Sequence, residues 1–448
     1  MSVEIIYSIR RHTGILLMVT LGCAVLFSRT ASGQDPMMRR PTTARKGVSL
    51  KELLASTENH PELRAANAST EAARSRVSMQ SSLMDPMIIL GVNNLPTNSF
   101  RFDAEMMTSK SIGLSQTFPF PGKLSKAHDA AMKEIDVSIY AAAEKRNALR
   151  RDVKKSYYEL FHLSKSIATY DYHLEQIEKL LALAHARLSS GIGTAQEILQ
   201  LEMDRTQAQM KILEDESTRT ELIGELSKSS GYLPDVISWP DSLLLDPVRF
   251  SVDQLDSIAQ KQSPLLARLS SQVEQDQLSG ERAHLDRYPD FDIMLMYMQR
   301  DALAPPAGST ESMVQSNMFS AELRFNLPLG YGGKLADREA EAAAMSGMHQ
   351  SDREAMHLEI RSMLQSRFTQ LEVLRKQYAL LVGEMLPRAI ESSVLDRTNY
   401  ALGKSDLTGT LSRLTELVHQ DHDRYRIEAD YHKLLAEIEY LVGTDLFE

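Results

Sequence analysis

The sequence has little cysteine, little tryptophan and few long apolar runs, and these shortages exclude several classes of protein. Cys23 is the only cysteine among 448 residues, and it lies within an N-terminal apolar segment. If that segment is removed as a signal, the mature chain has no thiol, which excludes disulfides and thiol catalysis. Beyond it, no apolar run reaches the roughly 20 residues that a transmembrane helix needs.

The motifs of common enzymes are also missing. The sequence has no Gly-rich phosphate loop, no nucleophile elbow in a Ser–His–Asp order and no His-Glu-x-x-His motif. The net charge is −10, with acidic and basic residues interspersed, which argues against nucleic acid as a partner. The sequence therefore predicts neither catalytic residues nor a cofactor.

Residues 1–33 are predicted to be a secretory signal peptide. Arg10 and Arg11 give a basic start, Ile15–Phe27 an apolar core, and Ala31–Gly33 a small-residue cleavage motif. The alternative is an uncleaved anchor, but the core is shorter than the roughly 20 apolar residues of a span. Lipidation of Cys23 stays open, although the residues before it match a lipoprotein motif poorly. We expect a periplasmic, secreted or outer-membrane protein.

The mature sequence repeats itself once. Gln116–Leu124 returns about 211 residues later as Arg324–Leu335, and each copy ends a β-like run with Pro and Gly before a very long helical run. The other landmarks recur at nearly the same offset: Asn59–Leu63 with Gln262–Leu266, Asp85-Pro86 with Tyr288-Pro289, Ser190-Gly191 with Leu402-Gly403, and Ser230-Gly231 with Val442-Gly443. This order predicts two similar halves, residues 34–231 and 251–448. We interpret residues 232–250 between them as a linker that forms a strap around the helices.

Each half is predicted as helix, strand, strand, very long helix and shorter helix. The predicted helices are Ser49–Leu83, Leu124–Ser189, Ala195–Ser230, Ser251–Leu285, Lys334–Leu402 and Ser405–Val442. The first long helix carries an apolar stripe in alternating steps of 3 and 4, which is typical of coiled-coil-like pairing. The stripe consists of Leu160, Leu163, Ile167, Tyr170, Leu174, Ile177, Leu181, Ala184 and Leu188. At 1.5 Å per residue, such a helix spans roughly 100 Å, which predicts a tall antiparallel helical barrel.

Four predicted strands accompany the helices: Met87–Leu95, Ser109–Phe118, Phe291–Gln299 and Asn317–Phe325. In the last strand apolar residues alternate with polar ones, which fits either a membrane wall or a sheet on a soluble domain. Each has about the 9–11 residues of a tilted membrane strand. Four strands cannot close a membrane barrel, because open edges would leave unpaired backbone groups in lipid. The fold class is therefore mainly α with a small β-barrel contribution, and three protomers would supply twelve strands.

The chain resembles the TolC family of outer-membrane efflux channels over nearly all of its mature length. The resemblance lies in Asn59–Ala66, Asp85-Pro86, Phe118–Leu124 and their second-half counterparts. It implies a homotrimer with a barrel in outer-membrane lipid and a helical tunnel across the periplasm. It also implies a passive conduit that docks a periplasmic adaptor (membrane fusion protein) and an inner-membrane RND or ABC transporter.

The same resemblance places adaptor docking at the helical turns, and glycine suits such turns because it lets the backbone reverse sharply. The implied tip residues are Arg187, Leu188, Ser189, Ser190, Gly191, Ile192, Gly193, Thr194, Tyr400, Ala401, Leu402, Gly403, Lys404 and Ser405. Any helical hairpin needs such a turn, so composition alone does not establish contact. Some family members close the tunnel with Asp residues, whose second-half positions are here Gly409 and Ser412. Glu197 and Asp406 are the candidates for a constriction.

Two sequence patterns are of kinds that bind metal ions in other proteins. Glu354/His357 and Glu416/His419 are Glu-x-x-His pairs of the kind that hold di-iron centres in helical bundles. At the helical rise of 1.5 Å per residue, the two pairs lie roughly 50 Å apart along the helix axis. They cannot share a metal within one protomer, which argues against the alternative of a di-iron enzyme. Met294, Met296 and Met298 alternate along one strand, and thioethers suit Cu(I), so copper or silver is a candidate cargo. Methionine is equally a flexible apolar residue that faces lipid or fills gaps.

We therefore expect the trimeric exit duct of a tripartite efflux pump or a type I secretion system. The alternative is a soluble periplasmic coiled-coil scaffold whose strands do not enter a membrane. The cargo and the partner pump stay open at this point.

Overall fold

The computed structural model describes residues 47–232, 237–240, 242–305, 308 and 310–447. The predicted signal peptide, Cys23 and Pro234 of the linker lie outside the described residues. All described residues belong to one structural unit. No helix in these ranges is long and apolar enough to cross a membrane.

The described part of the first half, from residue 47 onwards, contains four α-helices: α1 Leu50–Ser56, α2 Pro61–Ser81, α3 Lys123–Ser189 and α4 Ala195–Ser230. The single helix predicted from Ser49 is broken by a 3-10 turn and by His60, which is extended with a ψ of 139°. The break arises because a residue before proline is pushed out of the helical region. Pro61 then occupies the first turn of α2, where its missing N–H costs nothing.

The second half follows the same order, with α5 Val252–Gln262, α6 Pro264–Leu285, α7 Lys334–Leu380, α8 Leu386–Ala401 and α9 Leu407–Val442. Pro264 breaks the predicted helix Ser251–Leu285 in the same way that Pro61 breaks the helix predicted from Ser49. The helix predicted from Lys334 to Leu402 is interrupted by a π-helical turn at Leu381–Met385. Pro387 follows this turn, and proline cannot donate the normal helical hydrogen bond, so a local widening accommodates it.

One antiparallel sheet contains β1 Met87–Asn93, β2 Ser109–Phe118, β3 Phe291–Gln299 and β4 Met318–Phe325, in the order β1-β2-β3-β4. The β2 and β3 bounds agree with the sequence prediction. β1 ends early because Asn94 has a φ of 53°, which an extended strand cannot accommodate. The β2–β3 pair joins the two halves, and β1 and β4 form the open edges.

The register of the sheet separates an apolar face from a polar one. Ile88 pairs with Leu114, Leu114 with Leu295, and Leu295 with Ala321. The exposed apolar ladder consists of Ile88, Leu90, Val92, Ile112, Leu114, Ile293, Leu295, Tyr297, Phe319, Leu323 and Phe325. Because side chains alternate along strands, the intervening residues, including the β3 methionines, lie on the opposite face.

Helix α3 is the centre of the helical part, since α2, α4, α6 and α9 all pack against it. In the predicted stripe Leu160, Ile177 and Leu181 are buried, whereas Leu188 at the lower end is 38% exposed. Linker residues contact α3 and α9: the Trp239 ring is 5.0 Å from the Tyr157 ring, and Leu243 N–H donates to Glu428 Oε2 at 3.1 Å. Trp239 thereby packs against a buried apolar cluster that includes Tyr157 and Leu160.

Candidate functional site

The two helical turns that the sequence singled out have the same geometry. Gly191 and Gly403 have φ values of 74° and 72°, in the left-handed region that glycine adopts without strain. Ile192 N–H donates to the Arg187 carbonyl at 3.0 Å, and Lys404 N–H to the Asn399 carbonyl at 2.8 Å. Both turns therefore end their helices with the glycine-dependent pattern common at helix C-termini.

Arg187 joins the α3–α4 turn to the α8–α9 turn. Its Nη1 donates to the Tyr400 carbonyl at 2.7 Å, and its guanidinium lies 4.6 Å from the centre of the Tyr400 ring. The Tyr400 hydroxyl donates to Glu197 Oε2 at 3.2 Å, and Tyr400 is fully buried. Burial, and then the nearby Glu197 carboxylate, raise the pKa of Tyr400 to about 12. We call Arg187, Tyr400 and Glu197 the tip link.

The predicted tip residues divide into buried and exposed groups. Tyr400 belongs to an apolar cluster with Ile177, Leu201 and Leu411, which fastens the two hairpins together. Ile192 and Leu402 are 68% and 64% exposed. Most of the other tip residues are also exposed: Leu188, Ser189, Ser190, Gly191, Thr194, Ala401, Gly403 and Lys404, with Arg187, Gly193 and Ser405 half-buried.

The two constriction candidates have different surroundings. Glu197 is half-buried and bound to Tyr400, so its carboxylate is already used in the tip link. Asp406 is exposed at the N-cap of α9, where its carbonyl accepts from the Thr410 hydroxyl at 3.0 Å. Asp406 is thus the freer of the two carboxylates, and a constriction by either stays a prediction.

Above the tips lies a buried polar stripe on α3 that sequence reasoning missed. It consists of His162, Ser166, Thr169, His173 and Gln176, all buried. Ser166 donates to Asp215 at 2.6 Å and Thr169 to Asp421 at 3.2 Å. The spacing of 4, 3, 4 and 3 was the signal that could have revealed it, because polar residues in heptad steps occupy one helix face.

Burial changes the titration of His173 in this stripe and of the neighbouring His422 on α9. Burial, and then the neighbouring His419, lower the pKa of His173 to about 4. Burial and His162 lower the pKa of His422, whose ring centre is 4.9 Å from that of His162. Among the described residues, His173 Nδ1 and His162 Nε2 are buried without a hydrogen-bond partner. Protonation of His173 would therefore place a charge among groups that cannot solvate it.

The two Glu-x-x-His pairs make separate local contacts. His357 Nε2 lies 3.1 Å from Asp256 Oδ1, and Glu354 accepts from Gln350 at 2.8 Å. Glu416 accepts from Gln420 at 2.7 Å. Within the described ranges no three His, Cys, Asp or Glu side chains come close enough together to hold a metal.

The repeated Pro-Gly motif marks the junction of sheet and helices. Lys123 is buried and its Nζ lies 2.8 Å from Asp290 Oδ1 and 3.1 Å from the Tyr288 carbonyl. The Phe120 and Tyr288 rings stack with centres 4.5 Å apart. Gly122, with a φ of 98°, permits the sharp turn between β2 and α3. The motif thus holds the strands at a fixed position on the long helix.

Comparison with known proteins gives a family and a fold. A family model described as outer membrane efflux protein matches residues 54–231. The search of curated proteins gave no match. The outer membrane protein VceC of Vibrio cholerae has a TM-score of 0.72 at 15% identity, over 88% of this chain and 96% of that chain.

Two further solved structures are similar. A membrane protein of Pseudomonas aeruginosa gives a TM-score of 0.72 at 16% identity, over 88% of this chain and 90% of that one. The open-state outer membrane channel MtrE of Neisseria gonorrhoeae gives 0.68 at 14% identity, over 89% of each chain. At these identities the likeness concerns the fold.

The family match over residues 54–231 and the fold both indicate one class, the outer-membrane efflux channels. The chain carries the outer membrane efflux protein domain at residues 54–231, in the fold of the TolC-family channels. The resemblance, the fold class and the outer-membrane location predicted from the sequence are therefore confirmed.

Proposed function

We propose that three copies of this chain form the exit duct of a tripartite efflux pump or a type I secretion system. The observation that carries the proposal is a four-stranded sheet with an exposed apolar face and two open edges, β1 and β4. In lipid, such edges must pair, and β4 of one protomer with β1 of the next would close a ring. The duct is passive, and an energised partner drives the transport.

Exposed stripes on the helices support the ring. On α4, Leu199, Met203 and Met210 are exposed by 58–66% at steps of 4 and 7, on one face. On α8, Ile390 and Val394 are 48% and 49% exposed. Helix α4 packs mainly on α3, and α8 mainly on α9. Two different unpartnered faces on one chain suit a head-to-tail contact, which closes into a cyclic oligomer.

The domain boundaries form part of the proposal. Residues 34–231 and 251–448 are two copies of one unit, and 232–250 is the strap between them. The repeated order of helices and strands supports this division. Each copy would give the ring one β-hairpin and one long helical hairpin.

The helical turns are the proposed docking surface for a periplasmic adaptor, which in turn joins an inner-membrane RND or ABC transporter. The exposed apolar side chains of Ile192 and Leu402, together with glycine turns that permit close approach, support this role. Loosening of the tip link by the adaptor would open the duct.

Membrane fractionation and conductance test the proposal. We expect the full chain in outer-membrane fractions, as a trimer in detergent that dissociates on heating, and we expect conductance in planar bilayers. The scaffold alternative predicts a protein that leaves the membrane fraction in mild buffer and does not conduct. Recovery as such a protein would refute the duct.

The position of the three β3 methionines favours copper or silver as the cargo. Met294, Met296 and Met298 lie on the polar face of the sheet, opposite the exposed apolar ladder, so they face away from the proposed lipid contact. A deletion strain should become copper-sensitive, and the gene with all three codons changed to leucine should fail to restore resistance. Full resistance from that variant would exclude the methionines from copper export.

A further inference from the structure

We propose that Met296, Met298 and Met318 form a three-thioether site for a soft monovalent cation, Cu(I) or Ag(I), on the polar face of the sheet. The site rests on the proposed channel, in which this face lines the bore. It differs from the three-methionine strand that the sequence suggested, because it includes β4 and excludes Met294.

The register brings the three methionines together. Met298 of β3 pairs directly with Met318 of β4, and Met296 pairs with Ser320. Directly paired residues have Cβ atoms about 4.5–5.5 Å apart, and diagonal neighbours such as Met296 and Met318 about 7–8 Å. A methionine side chain has three rotatable bonds, so three thioethers at these positions can converge on one ion.

The surroundings leave room for such an ion. Gly113 and Ser111 of β2 lie opposite Met296 and Met298. The Met296 methyl carbon is 3.6 Å from the point where a Gly113 Cβ would lie, so the missing side chain gives Met296 its space. Met296 and Met298 are half-buried, and Met318 is 48% exposed. The residues directly opposite Met296 and Met298 on the two adjacent strands, apart from Met318 itself, are Gly113, Ser111 and Ser320, which are small and uncharged. The guanidinium of Arg300, two residues after Met298, is bonded to the Ser316 carbonyl at 2.6 Å. The sulfurs are the soft donors present, a set that suits Cu(I) rather than Mg²⁺ or Zn²⁺.

Met294 does not belong to this site. Arg324 Nη2 lies 3.6 Å from the Met294 sulfur and also bonds to Glu322 at 2.8 Å. A fixed guanidinium beside the sulfur repels a metal cation and occupies its lone pair. Met294 is also 3% exposed, so an ion in the bore would not reach it. It therefore provides a control on the same strand.

Silver nitrate titration of the purified full chain, in detergent and chloride-free buffer, tests the site. We expect one Ag(I) per protomer in the native protein, with sulfur as the neighbour in X-ray absorption. Loss of even an outer-shell partner weakens metal binding by about 10–100-fold, so replacing all three ligands by leucine should abolish it. Leucine conserves volume, which keeps the sheet intact.

Matched variants keep the result interpretable. Met294→Leu should bind like the native protein, as should a triple leucine variant at Met345, Met348 and Met363, exposed methionines of α7. Met318→Leu alone, at an exposed position, should weaken binding without affecting folding. The site is refuted if the native protein binds no Ag(I), or if all variants bind equally. Bilayer conductance of the same preparations tests the channel separately. Conductance without silver binding would refute the methionine site and leave the proposed channel standing.

Discussion

Replacement of Arg187 by methionine tests whether the tip link holds the two helical turns together. The substitution keeps much of the side-chain length but removes the donor to the Tyr400 carbonyl and the cation above the Tyr400 ring. A hydrogen bond from a charged group contributes about 1.5–3 kcal/mol. The cation–π contact adds about 0.5–1 kcal/mol. We therefore expect the link to weaken by about 2–4 kcal/mol.

That loss changes the ratio of separated to joined turns by about 30- to 700-fold, since each 1.4 kcal/mol is a factor of ten. Pulsed electron resonance between spin labels at Ser190 and Lys404, both exposed, measures the separation directly. Labelling is straightforward because Cys23, the only native cysteine, lies in the predicted signal peptide. The native protein should give a narrow distance distribution, and Arg187→Met a broader and longer one.

Arg388→Met is the matched control, because Arg388 is exposed and, among the described residues, pairs only with Glu384, four residues earlier in the π-helical turn. Exposed ion pairs of this kind contribute about 0.3–0.5 kcal/mol, so this variant should leave the distribution unchanged. If Arg187→Met also leaves it unchanged, the two turns are held by the apolar cluster around Tyr400, and the role assigned to Arg187 is wrong.

Further predictions concern acid, the turns and the C-terminal region. Since the pKa of His173 is lowered from 6.5 to about 4, the unfolded chain takes up the proton first on acidification. The free energy of unfolding should fall by about 3 kcal/mol between these pH values, and urea melts of His173→Gln should show a weaker dependence. Valine at Gly191 or Gly403 should abolish export yet leave trimers on gels, because only the turn is strained; normal export would contradict this. Lys154→Met should leave the buried carboxylate of Glu439, 2.6 Å from Lys154 Nζ, without its cation and, in the described part of the chain, with only the backbone N–H groups of Leu446 and Phe447 as donors. Its free energy of unfolding should fall by about 3–5 kcal/mol in denaturant melts, whereas an unchanged midpoint would show that the pair adds no stability.

The elements of this protein could be predicted well from local patterns. The bounds of β2, β3 and α4 agree with the sequence prediction, and α3 begins one residue early. Such agreement is expected where apolar periodicity is long and glycine or proline marks the ends. The helices predicted as continuous are interrupted at Pro61, Pro264 and Pro387, where a local backbone constraint breaks a continuous apolar pattern.

The candidate site was only partly predictable. The turns at Gly191 and Gly403 were evident because glycine reports a backbone requirement directly. The tip link was not evident, because Arg187 and Tyr400 are 213 residues apart in the chain. The polar stripe on α3 was not evident for another reason: apolar periodicity does not reveal a buried polar face, and the burial of this stripe depends on polar partners from α4 and α9, such as Asp215 and Asp421.

The sequence by itself determined the lengths of the helices and strands, the two turns and the likeness to a family of channels, since all of these depend on residues close together in the chain. Only the tertiary structure decided which strand faces meet. In the structure, Met318 lies beside Met298, Arg324 contacts the Met294 sulfur, and Glu197 accepts a hydrogen bond from Tyr400. These choices depend on register and on contacts between distant segments, and a shift of one residue in a strand would have turned every side chain to the other face.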